Sequence, residues 1–214
     1  MTNLIVVRHA QSIANMNGIF IGHMDLDLSE LGKKQAELTA EYLIRENIPI
    51  DKIYSSDLLR PYHTVEPYAI KKGMEIIKRK ELREIYAGKW EGKKFDELPE
   101  LYFKTYGVWL TDISKAECDG GETVANLYER INKEIDRIAD ENDGKTVLIA
   151  THATPLRCMI ARAKGVGLDG MQNVSWGGNA SLNYFTYKDG MLVPEKLGQC
   201  DHLGLLHSEL PKNV

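Results

Sequence analysis

Leu4-Ile5-Val6-Val7-Arg8-His9-Ala10-Gln11-Ser12 is the stretch whose reading decides the fold. Its four apolar residues, two of them valine, read as a short buried strand of a parallel sheet. An arginine and a histidine follow at the carboxyl end of that strand. Ligands of open α/β sheets bind in the crevice beyond the carboxyl ends of the strands. A guanidinium and an imidazole placed there are therefore candidates for chemistry. Such a dipeptide also occurs on plain surfaces, so the rest of the chain has to supply its partners.

Working outward, a loop runs from Asn15 to Asp27, with Gly18 and Gly22 as turn positions. Ser29 reads as the N-cap of a helix to about Glu46, with Leu31, Gln35, Leu38, Tyr42 and Leu43 on its inner face. Lys52 to Ser56 is a second short strand. Ser56 or Asp57 is expected to cap the next helix, with Pro61 in its first turn and Pro67 kinking or shortening it. Met74 to Lys78 is a third strand. Strand, helix, strand, helix, strand is the signature of βαβ units around a parallel sheet.

The pattern breaks from Glu81 to Asp119, where Tyr86, Trp90, Phe95, Tyr102, Phe103, Tyr106 and Trp109 lie among glycines and prolines. This reads as a small cap of short helices and loops at about 85–120, set against the alternative of irregular core. Glu122 to Glu141 is helical by the spacing of Val124, Leu127, Ile131, Ile135 and Ile138. Thr146 to Thr151 is a strongly apolar strand that ends at His152, and a helix follows from about Pro155 to Lys164. Residues 180–187 and 191–197 form a hairpin around Asp189-Gly190.

The chain has 214 residues, a length suited to one domain over 1–214. A net charge of −4 argues against general nucleic-acid binding, which needs a basic surface, yet leaves room for a local arginine cluster that holds a small anion. Three cysteines without Cys-x-x-Cys spacing suit a reducing compartment. Met1-Thr2-Asn3 runs straight into a strand without a signal-peptide pattern, and no apolar run approaches the roughly 18 residues of a spanning helix. A cytoplasmic protein with no membrane partner is expected.

A second interior strand thus ends in histidine. If the two strands are neighbours they lie about 4.8 Å apart, and both rings reach one phosphoryl-sized group. Arg60 starts a helix just beyond a third strand end, and Arg8 precedes His9. Guanidiniums grip phosphate oxygens with a fork geometry that lysine lacks, so two of them beside two imidazoles suit a dianionic phosphoryl group.

At this point the sequence resembles the histidine phosphatase superfamily, also called phosphoglycerate mutase-like. Arg8-His9-Ala10-Gln11-Ser12 resembles its Arg-His-Gly-x-Ser/Thr signature, and Asn15 falls at the family's phosphate-loop asparagine. Gly22-x-x-Asp25-x-x-Leu28-Ser29-x-x-Gly32-x-x-Gln35-Ala36 and Ser55-Ser56-Asp57-Leu58-x-Arg60-x-x-x-Thr64 resemble the segments that follow. Leu82-Arg83-Glu84-Ile85-x-x-Gly88-x-Trp90-Glu91-Gly92 resembles the segment that carries the proton donor, and Gly120-Gly121-Glu122-Thr123 and Thr151-His152-x-x-Pro155-Leu156-Arg157 complete the series.

The resemblance implies a three-layer α/β/α sandwich with a mostly parallel sheet and a small cap. It implies His9 as nucleophile, attacking phosphorus in line while neutral. Arg8, Arg60 and His152 would hold the equatorial oxygens, with Asn15 as a neutral donor. Glu84 would protonate the leaving alkoxide and then activate water. Ser12, Ile21, Gly22 and Ala153 complete the implied substrate contacts, and no metal or cofactor is implied.

Three positions depart from the pattern. Ala10 and Ala153 stand where glycine usually follows each histidine, at a cost on the order of 1 kcal/mol if the backbone there needs positive φ. Ile21 stands where phosphatase-like members often carry a polar side chain. His23, His63, His202 and His207 read as surface or supporting residues, His23 nearest the pocket mouth. Trp176-Gly177-Gly178-Asn179 reads equally as a cleft entrance or a plain loop.

The expected activity is hydrolysis of a small-molecule phosphomonoester. The alternatives are a phosphoglycerate mutase and a phosphate-binding module without catalysis. In the mutases a basic-aromatic run follows the proton donor, whereas Ile85-Tyr86-Ala87-Gly88-Lys89-Trp90 looks like the phosphatase branch. A dead module predicts a missing core residue, yet all five are present. The aromatic cap with Lys89, Lys93, Lys94 and Lys104 suggests a substrate with an apolar or anionic body.

Overall fold

The computed structural model describes residues 1–208, so the last six residues of the expected 1–214 domain lie outside the described residues. Strand β1 (Thr2–Arg8) is followed by helices α1 (Ile13–Asn17) and α2 (Glu30–Arg45), then β2 (Lys52–Ser55), α3 (Leu59–Lys72) and β3 (Ile76–Lys78). Short 3-10 turns lead to α4 (Leu98–Leu101) and α5 (Phe103–Thr111). The chain continues through α6 (Val124–Asp140), β4 (Thr146–Thr151), α7 (Ala153–Ala163), β5 (Leu182–Lys188) and β6 (Met191–Gln199).

The six strands form one sheet in the order β3-β2-β4-β1-β5-β6. The β3, β2, β4 and β1 strands are mutually parallel, and β5 and β6 are antiparallel. Alternate side chains of β1 go to opposite layers. Leu4 and Val6 pack with Leu127, Ile131, Ile135 and Ile138 of α6 and Leu156 and Met159 of α7. Ile5 and Val7 pack with Ala40 and Leu43 of α2 and Val65, Tyr68 and Ala69 of α3. Burial on both faces is what a continuous apolar run in a parallel strand requires, and the result is the expected three-layer α/β/α arrangement.

Ser29 caps α2 through its side chain, which accepts from the Gly32 amide at 3.0 Å. For α3 the sequence expectation fails: the N-cap is Leu58 with no side-chain cap. Asp57 is instead held by Arg83 in a two-point ion pair at 2.6 Å. Nor does Pro67 shorten α3. Tyr68 and Ala69, buried just beyond it, keep the last turns packed on the sheet. Helix α7 begins at Ala153, two residues earlier than expected. The hairpin turns at Asp189 (φ 50°) and Gly190 (φ 77°), both in the left-handed region as a type I′ turn demands.

The aromatic segment shares the sheet's core. Trp90 and Tyr106 are fully buried in the same cluster as Leu4 and Val6. Trp90 sits edge-on to Phe20 at 5.6 Å, to Tyr106 at 5.3 Å and to Trp109 at 5.8 Å. Backbone bonds stitch it to the loop after α1: Gly92 N donates to Phe20 O at 3.0 Å, Phe20 N to Lys93 O at 2.8 Å, and Phe95 N to Gly18 O at 2.9 Å. No helix among the described residues is long and apolar enough to cross a membrane.

Candidate active site

Strands β1 and β4 are neighbours in register, with Arg8 opposite Thr151, so the residues that follow each strand emerge side by side. His9 N donates to Thr151 O at 2.8 Å, and the ring centroids of His9 and His152 are 5.2 Å apart at 64°. The sheet thus brings together two imidazoles that lie far apart in the chain.

His9 is buried, and its Nδ1 lies 2.7 Å from the Ala10 carbonyl oxygen. A carbonyl only accepts, so Nδ1 carries the proton and Nε2 keeps its lone pair. Burial holds the His9 ring well below the ordinary imidazole value of 6.5, with the Arg60 and Arg8 charges acting the same way. His152 is lowered likewise, by burial first and then by Arg60 and His9. Its Nε2 faces Ser56 Oγ at 3.0 Å, while Nδ1 is buried with no protein partner.

Arg8 Nη1 donates to Gly177 O, and Arg60 donates to Gly22 O at 2.8 Å and Met24 O at 3.1 Å. Both Nε atoms are buried without a protein partner. Burial pulls each guanidinium down to about 10, with Glu84 opposing the shift, so both remain cationic at neutral pH. Glu84 is nearly buried. Its Oε1 accepts from Ile85 N at 2.9 Å, and its Oε2 from Thr154 N at 3.3 Å in the first turn of α7.

Arg8, His9, Asn15, Ile21, Arg60, Glu84 and Ala153 all line one cleft, joined by Ile19, Phe20, Phe95, Trp109, Thr154 and Trp176. Asn15 Oδ1 accepts from Ser12 N and Oγ, each at 3.1 Å, and from Asn179 Nδ2 at 3.2 Å. Its carbonyl is therefore occupied, and its amide NH₂ is the donor left for the cleft. Ser12 and Gly22 stand behind the wall. Ser12 is fully buried as the N-cap of α1, and Gly22 acts through its carbonyl on Arg60. A Cβ on Gly22 would sit 2.2 Å from Ile85 O, which excludes any side chain there.

The two alanines that replace glycine bring no backbone strain. Only Asn47, Ala180 and Asp189 among the described non-glycine residues have positive φ. Ala10 N donates to Thr64 Oγ1 at 2.9 Å, and Ala153 occupies the first position of α7. Of the remaining histidines, the ring Nε2 of His23 lies 3.0 Å from Glu84 O, His63 pairs with Asp27 at 2.6 Å, and His202 packs on Tyr42. None of the three lines the cleft.

Arg130 escaped the sequence reading. Its guanidinium grips Glu122 at 2.9 and 3.0 Å and donates to the carbonyls of Glu81, Arg83 and Glu84, at 2.6, 3.1 and 3.2 Å. It holds the backbone on which Glu84 is mounted. The Gly120-Gly121-Glu122-Thr123 run was the available signal, because a Cβ on Gly121 would sit 2.2 Å from Tyr86 O and so fixes Glu122 against that segment. Trp176 takes the first of its two alternatives and lines the cleft.

Two buried imidazoles held neutral give the fold an acid sensitivity with a definite sign. The unfolded chain takes up protons at these rings as pH falls below about 6.5, and the folded chain does not. Folding stability is therefore lost as pH falls from 6.5 toward about 5, by up to about 1.4 kcal/mol per pH unit for each ring. Urea unfolding followed at several pH values checks this, and a midpoint that stays constant across that window would contradict it.

The family model described as histidine phosphatase superfamily (branch 1) matches residues 4–199. The chain is 36% identical to phosphoserine phosphatase 1 of Hydrogenobacter thermophilus over 214 residues, covering 100% of both chains. It is 32% identical to the adenosylcobalamin/alpha-ribazole phosphatase of Salmonella typhimurium over 161 residues, which is 74% of this chain and 78% of that one. The solved structure of Bacillus stearothermophilus YhfR superposes with a TM-score of 0.89 at 26% identity, covering 95% of this chain and 100% of that one. With its two strand-end histidines, two buried guanidiniums and a match along nearly its whole length, the chain belongs to branch 1 of the histidine phosphatase superfamily.

Proposed function

We propose that the protein is a phosphatase that hydrolyses a small-molecule phosphomonoester through a phosphohistidine on His9, with Glu84 as the proton donor. The observation that carries this reading is the His9 ring itself. It is neutral, its Nδ1–H is fixed on a carbonyl, and the ring lies beside His152 in the cleft that the buried Arg8 and Arg60 also line, close enough for both charges to act on it. A neutral, oriented imidazole is a nucleophile without further activation.

In this mechanism phosphoryl oxygens supply acceptors for the buried, unpartnered Nε–H groups of Arg8 and Arg60, and the cationic pair stabilises charge as it spreads over those oxygens. His152, fully buried and not among the residues that line the cleft, backs the His9 ring. Asn15 adds its amide. Nε2 of His9 attacks phosphorus, the ester oxygen leaves with a proton from Glu84, and water activated by the same carboxylate then cleaves the phosphohistidine and frees inorganic phosphate. The relatives named as phosphoserine and alpha-ribazole phosphatases support hydrolysis as the outcome. The residues after Glu84 support it as well, since Ile85, Ala87 and Trp90 are fully buried and Lys89 is turned outward onto Asp119 at 3.4 Å. Among the residues that directly follow Glu84, none is a basic side chain that lines the cleft.

The test is a panel of phosphomonoesters scored for inorganic phosphate, with interconversion of 3- and 2-phosphoglycerate measured in parallel. Phosphate release from several esters, with negligible interconversion, is the expected result. Rapid interconversion with little phosphate freed would replace hydrolysis by isomerisation.

A further inference from the structure

The phosphate end of the cleft and its alcohol end have opposite chemistry. Among the described residues that line the cleft, the only charged side chains are Arg8, Arg60 and Glu84, all committed to the reacting phosphoryl group in the mechanism above. The rest of the wall is Ile19, Phe20 and Ile21 from the loop after α1, Phe95 and Trp109 from the cap, and Trp176, with Asn15 and Thr154 as neutral polar members. Lys89, Lys93, Lys94 and Lys104 are not among the residues that line it, so this wall speaks for the apolar alternative of the sequence expectation.

This wall is built rigidly. Trp176 stacks on Trp109 at 6.1 Å and 26°, and the Arg157 guanidinium lies 4.2 Å from the Trp176 ring centroid. Arg157 is itself buried, with Nε on Val174 O at 2.7 Å and Nη2 on Gln172 O at 3.0 Å. Gln172 in turn accepts from Ile113 N at 2.8 Å, which ties the loop to the end of the cap. Behind Trp109, Phe20 stands at 5.6 Å, and Phe95 lies 5.4 Å from Phe20. Rings fixed in this way present a preformed apolar slot.

We propose that this slot selects phosphomonoesters whose alcohol carries a flat, uncharged apolar group, and that it disfavours a zwitterionic body such as that of phosphoserine. The proposal rests on the phosphatase reading above. An ammonium and a carboxylate placed against this wall lose water and gain no ionic partner among its described apolar residues, whereas an aromatic group replaces water with ring contacts.

The comparison uses 2-phenylethyl phosphate, ethyl phosphate and phosphoserine, all primary-alkyl esters, so that leaving-group chemistry does not set the order. The expected kcat/KM for 2-phenylethyl phosphate exceeds that for phosphoserine by about tenfold or more, with ethyl phosphate below the phenylethyl ester. Trp176→Ala is expected to shrink that ratio about tenfold, the size of an aromatic pair, while Trp176→Phe keeps most of it and controls for folding. A phosphoserine preference in the wild type, or an unchanged ratio in Trp176→Ala, overturns the proposed selectivity and leaves the phosphatase reading standing. Absence of phosphate release from all three esters overturns both.

Discussion

Replacing His9 with alanine is expected to lower kcat for phosphate release by at least about 10⁴-fold and to abolish transfer of labelled phosphate from substrate to protein. Losing a nucleophile that forms a covalent intermediate removes a whole route, and losses on the order of 10⁶ accompany such changes. Among the described residues the ring's one hydrogen bond is to the neighbouring Ala10 carbonyl, so its removal breaks no long-range hydrogen bond and loses only the edge contact with His152. The variant is therefore expected to fold, and circular dichroism with a melting curve verifies that. It should also lose one of the buried bases behind the acid sensitivity, to which His152 and the lowered His202 still contribute, flattening the dependence of stability on pH by up to about 1.4 kcal/mol per unit. Appreciable turnover in a folded His9→Ala protein would remove His9 as the nucleophile.

Glu84→Gln carries the second large effect. General acid–base help contributes about 10²–10⁴ in rate, so kcat for an alkyl phosphate is expected to fall by about that factor. The loss should be much smaller in the first step with p-nitrophenyl phosphate, whose leaving group departs without a proton. With that ester the phosphohistidine should form in a burst and then persist, because water has lost its base. A glutamine also sets an NH₂ against one of the two amide N–H groups, from Ile85 and Thr154, that the carboxylate accepts. Equal losses for both ester types, with no burst, would show that Glu84 acts on neither proton transfer.

The architecture was legible because its signals are local. A valine-rich run, a helix capped by Ser29 and the apolar stripe of α6 each report their own structure. The two strand-end histidines could be joined because topology makes β1 and β4 neighbours, and the rings do meet. What could not be read depends on contacts between distant segments. Asp57 looks like a cap until Arg83 claims it. Pro67 looks like a breaker until tertiary packing holds the turns beyond it. Ala10 and Ala153 look strained until their backbones prove ordinary. Helix α1, only five residues long, has too few turns to show a period. Arg130 gives no signal of its own, since its function lies in three carbonyl groups more than forty residues earlier.

The order of strands also bears on how the enzyme comes into being. Strand β1 precedes the other strands in the chain, yet its flanking places in the sheet belong to β4 and β5, the latter ending at Lys188. A growing chain holds His9 before it holds either strand that flanks β1, and the second of those strands is complete only at Lys188. Closing so distant a pair is slow compared with local helix formation. Catalytic competence thus waits for β5, and fragments that stop short of Lys188 are expected to be silent.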